Sequence, residues 1–308
     1  MILRALRTVA LLLVAGLALS ATRTARAQVD VSILGDSAYA TIQLTGPGGV
    51  VHEAEVTIVF DSPRNLSVAS LNLSAALFDP NDVAFRNRLP GGIVVDPAFP
   101  VIVTVEPPVH DWIFASDFAA NEDGSGALSF RNTYELEIHT HALAYEPYSQ
   151  YRLLKAPLGG HFADVSDEIA SGSTRARGRG GAFSQFIIGR NTVAAGLPAL
   201  LGVILPKATA LTTRLLSAVL SDVLRLQLTN LLTSLVQIIV GGVLNPLLAC
   251  TNAILPLDAF IGDVQEAADD GDIANLWRAQ HDVVNDAGDL VSLARTLRFS
   301  LLNCSAGH

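Results

Sequence analysis

From Gln28 to about residue 190, apolar and polar side chains alternate with period two. Val29, Val31 and Ile33 share one face, as do Val56, Ile58 and Phe60, and then Leu71, Leu73, Ala75 and Leu77. The run from Tyr134 sets Leu136, Ile138 and Thr140 against Glu135, Glu137, His139 and His141, and Ala182–Ile188 closes the series. Turn-forming clusters separate these runs: GPGG at 46–49, DPND at 79–82, PGG at 90–92, DGSG at 123–126 and GRGG at 178–181. Short alternating runs with turns between them predict about nine strands of an antiparallel β-sandwich, immunoglobulin-like or jelly-roll in type. A parallel sheet would need helical crossovers, and no helical period occurs here.

The alternation stops near residue 191. Residues 191–206 read as an apolar linker marked by Pro198 and Pro206. Residues 207–240 are largely apolar, with Arg214, Ser217, Ser221, Arg225, Thr229 and Thr233 recurring at helical spacing. Pro206 suits a first helical position, Gly241-Gly242 a stop, and Asn245-Pro246 a cap followed by a second start. Pro256 is expected to end that helix, Asp272 to cap another through about Asp286, and the run from Asp289 to make the last. The whole is an α+β chain of two domains: a sandwich over 28–190, then a helical bundle over 207–308.

The N-terminus changes the charge balance. Arg4 and Arg7 precede an unbroken apolar run from Val9 to Leu19. Eleven residues are too few to span a bilayer and suit a secretory signal over residues 1–27, cleaved before Gln28. Cleavage removes Arg4, Arg7, Arg23 and Arg26 and no acid, taking the net charge from −9 to −13. An acidic chain with only 6% aromatic residues is a poor fit to nucleic acid. Export also places Cys250 and Cys304 in an oxidising compartment, where one disulfide is expected. Lys155 and Lys207 are the two lysines among 20 basic residues, a bias that reads as codon composition.

Asp164-Val165-Ser166-Asp167 and Phe183-Ser184-Gln185-Phe186 lie within residues 152–189. That stretch resembles the closing strands of bacterial extracellular β-sandwich modules, which often end on a D-V-T/S-D turn and an F-S-x-F strand. Ala182 stands where such modules often have histidine. The resemblance implies an exported sandwich ending near residue 189 and implies no reaction.

Gly35-Asp36-Ser37 after an apolar strand resembles the nucleophile block of the GDSL/SGNH hydrolases. Their chemistry also needs a base, normally in a D-x-x-H block, and the chain contains no D-x-x-H. A turn explains the triplet. His139 and His141 share a strand face beside Glu137, a pattern that can hold zinc if His52, His110, His161 or a carboxylate completes the site. Asn121–Gly126 clusters oxygen ligands without the spacing of a calcium loop. Arg175, Arg177 and Arg179 alternate on one strand face, where a glycan could meet them, or where they guard an exposed edge.

These readings converge on an exported, non-enzymatic binding or structural protein of a bacterial cell envelope or exterior, secreted or periplasmic. Its partner would be a protein, a glycan or an apolar ligand. A second reading is a carrier or sensor of a lipid-like ligand held in the bundle; a third is a metal-dependent enzyme centred on His139 and His141, with zinc the candidate ion. Leu231–Ala249 is uncharged, but Gly241-Gly242, Asn245 and Pro246 interrupt it, so no transmembrane span is expected in the mature chain.

Overall fold

The computed structural model describes residues 27–108, 127–144, 150–170, 174–279 and 284–307. Residues 1–26 of the expected signal segment, His110 and Asn121–Gly126 therefore lie outside the described residues.

Two antiparallel sheets face each other. Sheet A contains β1 (Ala27–Leu34), β2 (Ser37–Thr45), β3 (Val51–Arg64), β7 (Ser129–Thr140), β11 (Thr174–Gly180) and β10 (Ser166–Ala170), in that spatial order. Sheet B runs β4 (Leu73–Leu77), β6 (Val101–Val105), β12 (Gln185–Asn191), β8 (Tyr151–Ala156), β9 (Ala163–Asp164), with β5 (Ile93–Val94) also on β12. The predicted alternation fixes the inner faces: Ile42, Ile58, Leu136 and Ile138 from sheet A meet Val103, Phe186 and Ile188 from sheet B in one core. Leu71 departs from its expected strand. It closes a helical turn, α1 (Val68–Leu71), and Asn72 takes a left-handed conformation (φ 48°) before β4 begins. Ser67 and Ser70 bond reciprocally across that turn's start, a capping box that overrides the strand pattern. A second turn, α2 (Val83–Arg86), carries Phe85 into a small cluster with Phe162, Leu154 and Ile187. Gly35-Asp36 is the two-residue link between β1 and β2, with Gly35 at φ 58°.

Four longer helices follow: α3 (Leu197–Ser217), α4 (Asp222–Gly241), α5 (Pro246–Asp269) and α6 (Asp286–Ser305). The expected linker is mostly helix. Pro206 has no N–H to give a carbonyl one turn back, and the π-helical stretch Leu200–Ile204 just before it absorbs that break. The expected single run 207–240 divides at residues 218–221. Ser221 caps α4, and the Arg225 guanidinium bonds the Leu215, Leu216 and Ala218 carbonyls that end α3. Asn245 caps α5 as expected, but Pro256 lies inside that helix and does not end it. The carbonyl it leaves free belongs to exposed Asn252, where water can take the bond.

The expected helix from Asp272 is also replaced. Leu276–Arg278 forms β13, which pairs with β7. Trp277 stacks on Phe130 at 5.1 Å and meets Phe183 edge-on at 5.2 Å. Burying an indole between those rings outweighs a helical turn's propensity. The helical half thus completes the aromatic end of the sandwich core. Cys250 and Cys304 are joined, with Cα atoms 6.0 Å apart.

Candidate functional site

The outer face of sheet A carries the predicted polar ladder. Strand register aligns Asp30, Thr41, Glu55, His139 and Arg175 in one row, and Ser32, Tyr39, Thr57, Glu137 and Arg177 in the next. His139 and His141 lie together, ring centroids 4.7 Å apart. The zinc set does not assemble around them. Glu137 turns to the Arg177 guanidinium and lies 3.8 Å from Arg175, while His139 Nδ1 is 3.0 Å from Glu55. His52 Nδ1 sits 3.0 Å from the Ala98 carbonyl, and His161 is exposed. Among the described residues no three His, Cys, Asp or Glu side chains form a group that could hold a metal ion. The three arginines are not at an edge either. β10 lies outside β11, and Glu135, Glu137, Asp167 and Glu168 pair with Arg177 and Arg179.

The junction between sheets and helices is polar and buried. Lys207 Nζ from α3 donates to Asp164 Oδ2 at 2.6 Å, Ser300 Oγ at 2.8 Å and Thr296 Oγ1 at 2.9 Å. Burial alone would raise the Asp164 carboxyl, but Lys207 and Arg152 together hold it below its usual range. Lys155 and Tyr134 both donate to the Ala182 carbonyl. Burial pushes the Lys155 ammonium down to about 8, against a smaller opposing pull from Asp289. Along α6, Ser292 Oγ donates to the Arg179 carbonyl at 2.5 Å, and Asn285 Nδ2 to the Asn132 carbonyl at 2.7 Å. Gly288 is forced by this approach, since a Cβ there would lie 2.0 Å from the Asn132 oxygen. Lysine scarcity is the sequence's one pointer to this junction and is more than codon composition: Lys155 and Lys207, the chain's two lysines, are both buried here.

The helical layer is the third surface. Its inner side is packed with Leu228, Leu232, Leu257, Phe260, Leu290 and Leu297. Its outer side keeps large apolar groups in the open: Leu244 is 98% exposed, Leu255 78%, and Val240 and Leu248 54% each. Scattered exposed leucines are ordinary, but a recurring set on adjacent helices marks a contact surface. The expectation of no transmembrane span is overturned here. Leu197–Ser217, Asp222–Leu244 and Pro246–Asp269 are each long and apolar enough to cross a bilayer. Within those windows only 33%, 22% and 39% of residues are buried, so protein packing covers little of that apolar character. Gly241-Gly242 and Asn245-Pro246 do interrupt the uncharged run Leu231–Ala249, but they turn the chain between two helices that each have the length to span.

Geometry and chemistry together define an α+β protein: a polar-faced antiparallel sandwich bonded to a layer of part-exposed apolar helices. The chain belongs to a family of unknown function (DUF6689), which matches residues 12–305. No curated protein and no solved structure matches it.

Proposed function

We propose that this is an exported, non-enzymatic protein of a bacterial cell envelope, attached to lipid through its helical layer. The sandwich, immunoglobulin-like or jelly-roll in type, presents its polar sheet A face to a soluble protein or glycan. The observation that carries the reading is the trio of membrane-length helices whose apolar windows are mostly unburied. Hydroxyl side chains on these helices support it. Thr209, Thr212, Thr213 and Thr251 each bond the carbonyl one turn back, a way of satisfying polar groups where water is scarce.

Flotation of the purified full-length chain with phosphatidylcholine vesicles tests the attachment. The protein is expected to rise with the vesicles and to stay with them through an alkaline carbonate wash. Protein left at the bottom of the gradient as a soluble monomer would overturn the reading.

A carrier role has one observation of its own. A shallow, open depression follows α3, lined by Leu201, Leu205, Pro206, Thr209, Arg214 and Leu293. It lies on the surface of the helical layer, so a lipid-like ligand would rest against α3 and not within the packed core.

A further inference from the structure

Lipid attachment can be made at either end of the helical layer, and the two ends differ. We infer that the turn between α4 and α5, Val240–Leu248, is the leading edge that enters the hydrocarbon of a bilayer. This rests on the attachment proposed above and names its place.

Charge makes the first distinction. From Leu226 to Leu257 the chain has no charged side chain, in a protein with 16% charged residues. The nearest charge on α5 is Asp258, paired with Arg298. Fourteen residues separate it from Leu244, about 20 Å along a helix. The other end of α4 begins with Asp222 and Arg225 and lies beside Arg214, Asp286 and Asp289.

Shape and hydrogen bonding make the second. Leu244 is 98% exposed at the apex, flanked by exposed Val240, Val243, Leu247 and Leu248. A convex apolar apex without a charged rim suits a fluid apolar phase better than a protein surface, where charged and polar groups ring the contact. The backbone of the turn is closed on itself. Asn245 N–H donates to the Gly242 carbonyl at 2.9 Å, Leu248 N–H to Asn245 Oδ1 at 3.3 Å, and Ala249 N–H to the Asn245 carbonyl at 3.1 Å. Hydrocarbon tolerates a turn only when its polar groups are met internally.

The wedge is also stiff. Gly242 sits against Ala249 so closely that a Cβ on it would lie 1.9 Å from the alanine's. The Cys250–Cys304 disulfide fastens the start of α5 to the end of α6 directly behind the apex. Recognition of this kind depends on apolar area and not on headgroup charge, so an acidic protein would bind neutral vesicles in a salt-independent way.

The test is flotation of the full chain with phosphatidylcholine vesicles, comparing wild type, Leu244→Asp and Val219→Asp. Thermal melts followed by circular dichroism establish that each variant is folded. Leu244→Asp should lower the bound fraction about tenfold, as expected when a leucine leaves hydrocarbon and a carboxylate replaces it. Val219→Asp, at the charged end, should bind as wild type does. A Leu244→Trp chain gives an independent readout: its added fluorescence should be quenched by lipids brominated on their acyl chains. If wild type fails to float, the attachment itself falls and this inference with it. If wild type floats and Leu244→Asp floats equally, or the added tryptophan is not quenched, the apex is not the leading edge and attachment stands alone.

Discussion

Lys155 illustrates what burial does to a single charge. Its ammonium is enclosed beside the Tyr134 ring, 5.9 Å from the centroid, and its pKa falls from 10.5 to about 8. Below about pH 8 the folded protein must hold a charge that its site disfavours. The unfolded chain keeps that proton until near 10.5, so between the two values it binds more protons than the native state. Stability should therefore rise as pH climbs through that window, by at most about 3 kcal/mol. Urea unfolding on either side of pH 8 should show the rise in wild type and its loss in Lys155→Met. Residue identity did not reveal this in the sequence, because a lysine's environment is set by which elements close over it. His139 and His141 show the same limit. Their shared face was legible from period two, but His139's partner is Glu55, which depends on the register between β3 and β7. Glu137 was closer in sequence and lost to Arg177, brought alongside by the register of β11.

At the scale of elements, strands were read more accurately than helix ends. Alternation identifies a strand's buried face locally, and Val56, Ile58, Phe60, Leu136 and Ile138 all point inward as the pattern required. Helix boundaries depended on proline: Pro206 stands in the first turn of Leu205–Ser217 as expected, but the helix continues ahead of it, and Pro256 does not end its helix. Pro206 follows a π turn and Pro256 sits mid-helix, because neighbouring geometry accommodates the missing N–H. The disulfide was legible in the sequence, since two cysteines leave one intramolecular pairing. It closes a separation of 54 residues that contains most of α5, β13 and nearly all of α6. Chain-entropy arguments value such a link at about 4 kcal/mol. Cys304→Ser should therefore lower the calorimetric melting temperature of the helical layer, and a reducing agent should do the same to wild type. An unchanged melt after confirmed reduction would show that packing alone holds the α5–α6 pair.

At the scale of the molecule, the change of character near residue 191 was plain in the sequence, but the dependence of one half on the other was not. Three residues, Leu276–Arg278, are too short to announce a strand, and their pairing with β7 spans more than 140 positions. A chain ending at Asn191 loses β13 and α6 and uncovers Phe130, Phe183 and the polar groups that Asn285 and Ser292 satisfy. Such a fragment is expected to self-associate on size exclusion and to melt without cooperativity. A monomeric fragment with a sharp all-β melt would show that the sandwich needs nothing from the helices.

The late position of β13 also bears on timing. Synthesis delivers β7 long before Trp277, so while the ribosome works through the helices, the sheet waits with its aromatic end unfilled. The sandwich cannot complete its aromatic packing until Trp277 has been made, so α3, α4 and α5 already exist when the sheet closes.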